Sequence, residues 1–308
     1  MIYFIVNTTS RSGKGAKVWN ELLGIIRESG EPFEIFETQY GGHSTELAKD
    51  ICEKTTPGDT IAVFGGDGTL NGVINGIDPE KRVTLGFIPF GSGNDFARGT
   101  GIVKDPFKAL DIILHGKDTK SFDLGEVVLP DGTSRRFCIS SGAGYDAAVC
   151  DELDKSHVKK ILNRLHIGKL AYFVIGLSQW LKHPKISGSL LLDGKDTVSF
   201  NRLSFVSVQN LKYEGGGYPF APQADPTDGL LSLCVVAIRS RLKFFCALLP
   251  SKSIKNWHTR FKGTKLVNCR QATLKLEKKL TVHTDGEVIG QYDAITFRVL
   301  PSAMLLKV

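Results

Sequence analysis

Thr60-Ile61-Ala62-Val63-Phe64, running into Gly65-Gly66-Asp67-Gly68-Thr69, is the stretch on which the fold turns. Five mostly β-favouring residues ending in glycines predict a buried strand. Beyond the loop, Leu70, Val73, Ile74 and Ile77 recur at helical spacing. The glycines therefore join a strand to a helix, where backbone N–H groups and the helix dipole can approach a phosphate chain. Asp67 cannot ligate phosphate by charge. It suits a metal-bridged contact or the orientation of a hydroxyl. A tight turn with Asp67 as a cap is the plainer alternative, and the Gly65-Gly66 and Gly68-Thr69 pairs on either side of one aspartate weigh against it.

The same grammar extends in both directions. Ile2–Val6 reads as a buried strand. Trp19, Leu22, Leu23 and Ile26 follow at helical spacing, and Gly30 stops that helix. Phe33–Phe36 is a short strand, and Leu47, Ala48, Ile51 and Cys52 mark a helix with Ser44 as its expected N-cap. Val83–Ile88 is a strand leading to a second glycine loop, Phe90-Gly91-Ser92-Gly93-Asn94-Asp95-Phe96. Asp105-Pro106 opens a helix through Leu114. This alternation predicts an α/β domain with a doubly wound parallel sheet. In such sheets, loops at the carboxyl ends of the strands build the ligand crevice. A third loop, Asn7-Thr8-Thr9-Ser10-Arg11-Ser12-Gly13-Lys14-Gly15, joins the other two there. It is not a Walker A loop: Thr8 stands where a glycine is required, and Gly15 where Ser or Thr should follow the lysine.

Near residue 122 the pattern changes. Leu129-Pro-Asp-Gly-Thr133 and Asp193-Gly-Lys-Asp196 are turn signals between β-rich runs at 135–140, 187–193, 197–209 and 229–237. Residues 155–182 read as helical, and Ala294–Val308 as strand again. The expected organisation is an α/β domain over 1–122, rejoined by a tail at 289–308, and a mainly antiparallel β domain over 123–288. Gly142-Ala-Gly144-Tyr-Asp146-Ala147 fits a dinucleotide fingerprint, but no acidic residue lies about 20 positions on. It reads as a backbone feature of the second domain.

Composition narrows the class. A 308-residue chain, 42% hydrophobic and 23% charged, fits a soluble globular protein of two domains and argues against long disorder. No apolar run approaches the about 20 residues of a bilayer span. Met1–Val6 lacks the basic flank and length of a signal segment and reads as strand. The cysteines at 52, 138, 150, 234, 246 and 269 show no metal or disulfide spacing, which favours reduced core thiols and a cytoplasmic location. Net charge is +7, and Arg239–Lys265 carries eight Lys/Arg and no acid, interleaved with Phe244, Phe245, Trp257 and Phe261. That stretch suits an anionic surface, lipid or nucleic acid, with an ordinary solvated face of equal weight.

Taken together, these motifs resemble the diacylglycerol kinase catalytic-domain family, in particular its bacterial lipid kinases. Gly65-Gly66-Asp67-Gly68-Thr69 matches the family's GGDGT segment, and Gly91-Ser92-Gly93-Asn94-Asp95-Phe96-Ala97-Arg98 its GTxNDFAR segment. Asn210, Gly215-Gly216-Gly217, Pro222, Asp228-Gly229-Leu230-Leu231 and Asp285-Gly286-Glu287 follow in the family's order. GGDGT alone is shared with NAD kinases and phosphofructokinases. Two positions depart: Ser92 replaces the commoner threonine, and Gly72 stands where the family usually has glutamate.

The resemblance implies an ATP-binding α/β domain of the phosphofructokinase/NAD-kinase type and a β-sandwich domain on the lipid side, with the active site between them. It implies ATP-dependent phosphorylation of a lipid hydroxyl, most simply diacylglycerol to phosphatidic acid. By position Glu287 is the expected general base, with Asp67 and Asp123 organising the metal-nucleotide or the acceptor hydroxyl. Asn7, Thr8, Thr9, Ser10, Gly13, Thr38, Gly65, Gly66, Gly68, Thr69, Asn71, Ser92, Asn94 and Asp95 form the expected nucleotide set. A structural Mg²⁺ is expected at Asp225, Asp228 and Leu230, the first and last through backbone carbonyls. Expected partners are a lipid at a membrane surface, contacted peripherally through 239–265, and no nucleic acid; a homodimer stays open. The rival readings are NAD-kinase-like phosphorylation of a soluble nucleotide and a non-catalytic lipid-binding relative.

Overall fold

The structure is a computed structural model that describes residues 1–11, 14–155, 175–180, 185–248, 254 and 256–308. The first half alternates β1 (Ile2–Val6), α1 (Gly15–Glu28), β2 (Phe33–Glu37), α2 (His43–Lys54), β3 (Thr60–Gly65), α3 (Asp67–Gly76), β4 (Thr84–Pro89), α4 (Asp95–Thr100) and α5 (Pro106–His115). The strands run parallel in the order β2-β1-β3-β4. Strand side chains alternate between faces. Tyr3, Ile5, Ile61 and Val63 therefore meet α2 and α3 through Ala48, Ile51, Leu70, Val73 and Ile74. Phe4, Val6, Ala62 and Phe64 pack the other face against Trp19, Leu22, Ile26, Leu110 and Ile113. Burial on both faces explains why β1 and β3 read as unbroken apolar runs.

The helix caps follow the sequence in one case and correct it in another. Asp105 caps α5, accepting from the Phe107 and Lys108 N–H groups. Ser44 is not the N-cap of α2. That position belongs to Gly42, at φ 90°, and Ser44 is buried against α3 instead.

The second half carries β5 (Thr119–Val128), β6 (Ser134–Phe137), β7 (Ser140–Gly144), α6 (Tyr145–Lys155), β8 (Ile186–Leu192), β9 (Asp196–Leu203), β10 (Phe205–Gln209), β11 (Leu231–Val236), β12 (Thr264–Cys269), β13 (Gln271–Thr284) and β14 (Glu287–Lys307). Their pairings with one another are antiparallel. A second core forms around Phe137, Leu190, Val206, Leu233, Leu274 and Phe297. Of the segment expected to be helical, residues 175–180 are helical, while 156–174 and 181–182 lie outside the described residues.

One strand connects the halves. β14 pairs with β13 from Glu287 to Arg298 and with β5 from Thr296 to Lys307. It meets β4, in parallel, only at Leu305 and Leu306. At its start, Thr284 pairs with Glu287, which leaves Asp285-Gly286 as a two-residue hairpin loop. Their φ angles of 48° and 86° are those of a type I′ turn, which Asp-Gly favours.

Candidate active site

The two glycine loops leave the adjacent strands β3 and β4 and touch backbone to backbone. Phe90 N–H donates to the Gly65 carbonyl at 2.7 Å. A Cβ on Gly91 would lie 2.6 Å from Gly66 Cα, so neither glycine can carry a side chain without parting the loops. Asp67 links them further, its Oδ2 accepting from Asp95 N–H (2.9 Å) and its Oδ1 from Phe96 N–H (3.2 Å). Burial pushes the Asp67 carboxyl up to about 6; the two N–H donors oppose the shift, and the charges of Asp95 and Asp285 add to it. Asn94, at φ 48°, closes the second loop by accepting Gly91 N–H at 2.7 Å.

The loop after β1 joins them. Asn7 Nδ2 donates to Thr69 Oγ1 at 3.1 Å, and Arg11 Nε to the Gly91 carbonyl at 3.0 Å. Within the loop, Thr9 donates to Asn7 Oδ1, Ser10 Oγ to the Asn7 carbonyl, and the Thr8 hydroxyl to Glu37. Thr38 N–H donates to the Val6 carbonyl at 2.9 Å. The structure thus gathers Asn7, Thr8, Thr9, Ser10, Thr38, Gly65, Gly66, Gly68, Thr69, Ser92, Asn94 and Asp95 at the carboxyl ends of neighbouring strands. Gly13 lies outside the described residues.

The Asp285-Gly286 turn approaches from the other half. Asp285 Oδ1 accepts from Ile139 N–H (2.8 Å) and Ser140 N–H (2.9 Å). Its Oδ2 accepts from Cys138 N–H (2.9 Å) and from Asn71 Nδ2 (2.8 Å). Asn71 lies on α3, just past the first glycine loop, so this bond ties the turn to that helix. Glu287 follows the turn with 60% of its side chain exposed and forms an ion pair with Arg135. Arg135 Nη2 also donates to Asn71 Oδ1 at 3.2 Å. A second bridge runs from the Gly215–Gly217 loop, where Gly216 N–H donates to Asp95 Oδ2 at 2.6 Å beside the Asp95–Arg98 ion pair.

Asp123 is placed differently from Asp67 and Glu287. It is 3% exposed, and its oxygens accept from Gly229 N–H and Ser302 N–H, both at 2.7 Å. Its own N–H donates to the Pro226 carbonyl at 2.7 Å. Asp123 thereby fastens the 225–230 turn to β14; backbone donors occupy both of its oxygens, as they do those of Asp67, but Asp123 is the more deeply buried of the two. In that turn Asp225 Oδ1 accepts from Thr227 and Asp228 Oδ1 from Leu230 N–H. Burial and then the charges of Asp225 and Asp123 push the Asp228 carboxyl up. Among the described residues no Lys or Arg pairs with these three carboxylates.

Gly72 also has a structural explanation. A Cβ there would fall on Ser44 Oγ, well inside contact distance. The position is the seat of α2 on α3, with no room for a glutamate. Arg135 belongs to no motif, and only the register of β6 beside the hairpin brings it to Glu287.

The comparisons agree with this architecture. Residues 1–127 match the family model described as the diacylglycerol kinase catalytic domain, and residues 140–308 the YegS C-terminal NAD kinase beta sandwich-like domain. The chain is 27% identical over 314 residues to a provisionally named lipid kinase of Bacillus subtilis, YtlR, covering 99% of this chain and 98% of that one. It is 28% identical to a diacylglycerol kinase of Mycobacterium tuberculosis, over 92% of this chain and 85% of that one. A diacylglycerol kinase crystal structure from Bacillus anthracis superposes with a TM-score of 0.72 at 21% identity, covering 99% and 96% of the two chains, and shares the fold. Among the described residues no helix is long and apolar enough to cross a membrane. With both halves matched in order by these family models, the chain belongs to the bacterial lipid kinase family built on the diacylglycerol kinase catalytic domain.

Proposed function

We propose that the protein transfers the γ-phosphoryl group of ATP to a lipid hydroxyl, with diacylglycerol as acceptor and phosphatidic acid as product. The observation that carries this reading is the convergence of the Glu287 turn on α3 through Asn71 and Arg135. Phosphoryl transfer depends on alignment, charge stabilisation and a group that takes the hydroxyl proton. The amides of 65–69 and 91–94 and the hydroxyls of Thr8, Thr9, Ser10 and Thr38 supply donors for the phosphates. Glu287 is the exposed carboxylate on the hairpin that Asn71 and Arg135 tie to α3, and it serves as general base once Arg135 releases it. Diacylglycerol as acceptor rests on the names of the relatives.

Mg²⁺ is proposed at two places. Asp67 is a half-buried carboxylate that accepts from two N–H donors, and its raised pKa marks a negative charge that a cation would stabilise. In the 225–230 turn, the Asp228 carboxylate and the backbone carbonyls of Asp225 and Leu230 are the proposed oxygen ligands, and among the described residues no Lys or Arg pairs with Asp228. Mg²⁺ bound with the nucleotide would neutralise phosphate charge.

Residues 239–265 are proposed to rest on an anionic cytoplasmic membrane face. The helix Arg241–Leu248 presents Leu242, 66% exposed, between Arg241 and Lys243. Lys252 and Lys255 lie outside the described residues. The deciding experiment is labelled-ATP transfer onto a panel in mixed micelles, read by mass: diacylglycerol, sphingosine, ceramide and soluble NAD. Label on diacylglycerol supports the reading. Label on NAD alone, or ATP binding with no transfer, overturns it.

A further inference from the structure

The Asp146, Glu214 and His283 side chains meet outside the site just described, their nearest donor atoms all within 4.8 Å of one another. His283 is the penultimate residue of β13, three positions before Gly286, and is 3% exposed. Its Nδ1 accepts the Gly286 N–H at 3.2 Å. Its Nε2 faces Asp146 Oδ2 at 3.3 Å. An imidazole nitrogen that accepts an N–H carries no proton, so the ring proton sits on Nε2 and is donated to Asp146. That tautomer argues against a metal ion here, because Nε2 is occupied as a donor. Glu214 Oε2 is also engaged, by Gln209 Nε2 at 2.5 Å and Ser207 Oγ at 3.3 Å. Asp146 and His283 thus form a hydrogen-bond relay that ends on the Glu287 turn, with the Glu214 carboxylate beside it.

We propose that His283 is a positioning residue for the Asp285-Gly286-Glu287 turn, its unprotonated Nδ1 holding Gly286 N–H while Asp146 fixes the tautomer. This rests on the reading of Glu287 as general base. It also accounts for the glycine pattern in Gly142-Ala-Gly144-Tyr-Asp146. A Cβ on Gly142 would collide with Asp146 Oδ2 and lie 3.1 Å from His283 Nε2, so a side chain there would block the relay. Gly144, at φ 116°, turns β7 into α6 and so delivers Asp146.

The arrangement makes the turn sensitive to acid. Protonating His283 puts a proton on Nδ1, donor against donor at Gly286, and the hold on the turn is lost. The charged groups facing the ring are Asp146 from α6, Glu214 from the loop after β10, and Asp285 from the turn. Burial alone would lower the imidazole pKa; the Asp146 hydrogen bond and the charges of Asp146, Glu214 and Asp285 prevail and raise it above its ordinary 6.5. The imidazolium therefore forms at a higher pH than it would on a free histidine side chain.

The experiment compares His283→Leu, His283→Asn and Glu287→Gln in the full chain, measuring kcat and both KM values from about pH 5.5 to 8.5. Asparagine can place Oδ1 where Nδ1 stands, and it does not protonate. His283→Leu is expected to lower kcat about tenfold or more, with KM for ATP within about threefold of the parent. His283→Asn is expected to keep at least about a third of kcat and to move the acid limb of kcat down by about one pH unit or more. Parental kcat in His283→Leu, or an unmoved acid limb in His283→Asn, overturns the proposal. Should His283→Leu fail to fold, the acid limb of His283→Asn decides alone. If Glu287→Gln is inactive while the His283 variants behave like the parent, this proposal fails and the base reading stands. If Glu287→Gln turns over normally, the base reading itself has failed.

Discussion

Asn71 donates to Asp285 at 2.8 Å although 214 positions separate them in the chain. One residue belongs to the helix behind the first glycine loop and the other to the hairpin that presents Glu287. Asp285 adopts a left-handed backbone conformation, and the backbone donors of residues 138–140 hold its carboxylate there. The bond therefore joins a rigid turn to a rigid helix, which is how the two ends of a phosphoryl-transfer site can be kept in register.

Asp67 links stability to pH. Its carboxyl titrates at about 6 in the folded chain against an ordinary 3.8, so between these values the folded state holds a proton that the unfolded state has lost. This contribution is fully present below pH 3.8 and is lost as pH rises through about 6, amounting to about 3 kcal/mol. Urea titrations of the parent and Asp67→Asn should show the variant gaining on the parent by about 1–3 kcal/mol between about pH 4 and pH 7. Turnover of the variant should fall on the order of 10²-fold or more. A pH-independent difference in stability would show that the Asp67 carboxyl is not raised in the folded chain.

Gly72 reports on helix packing. Gly72→Ala forces a methyl group onto Ser44 and should cost about 1–3 kcal/mol. Adding Ser44→Gly empties the obstructed space and should recover most of that loss despite the poor helix propensity of glycine. Thermal melts of the single and double variants decide it; a double variant no better than Gly72→Ala would mean the obstruction lies elsewhere.

Asp123→Ala should be a stability variant. It takes the charged acceptor from the part-buried hydrogen bonds of the Gly229 and Ser302 N–H groups and should cost about 3 kcal/mol. Below the melting transition its KM for ATP should stay near the parental value. A fully stable but inactive Asp123→Ala would return this residue to the chemistry.

The proposed membrane face is open to a direct measurement. Each cation near an anionic surface contributes about 1 kcal/mol, screened by salt. Arg241→Glu with Lys243→Glu should therefore weaken co-sedimentation with anionic vesicles by more than about tenfold at low salt, and Leu242→Asp should weaken it further. Equal binding of the parent to neutral and anionic vesicles would contradict the electrostatic part.

The α/β half was legible because its signals are local. Continuous apolar strands, glycine loops and the Asp105-Pro106 helix start each act within a few residues. The hairpin at Asp285-Gly286 rests on a signal just as local, the Asp-Gly pair of a type I′ turn. Ser44 has the chemistry of a cap, yet packing against Gly72 decides its place. Asp123 has the chemistry of a ligand, and its partners Gly229 and Ser302 lie 106 and 179 positions away. Arg135 and His283 carry no local pattern, because their roles come from the register of β6 and β13 beside the hairpin. Gly142 and Asp146 looked like a stray nucleotide fingerprint until the fold set them against His283.

The most direct test of the account is Glu287→Gln, read by two measurements on one preparation. Calorimetry gives ATP affinity, and the rate of phosphorylated lipid formed at saturating substrate gives kcat. The substitution keeps the size of the side chain and removes the charge that accepts the proton. The account expects ATP affinity within about threefold of the parent and a kcat lower by about 10²–10⁴-fold. Parental affinity with a kcat within about threefold of the parent would contradict it, since the hydroxyl proton would then leave through another group.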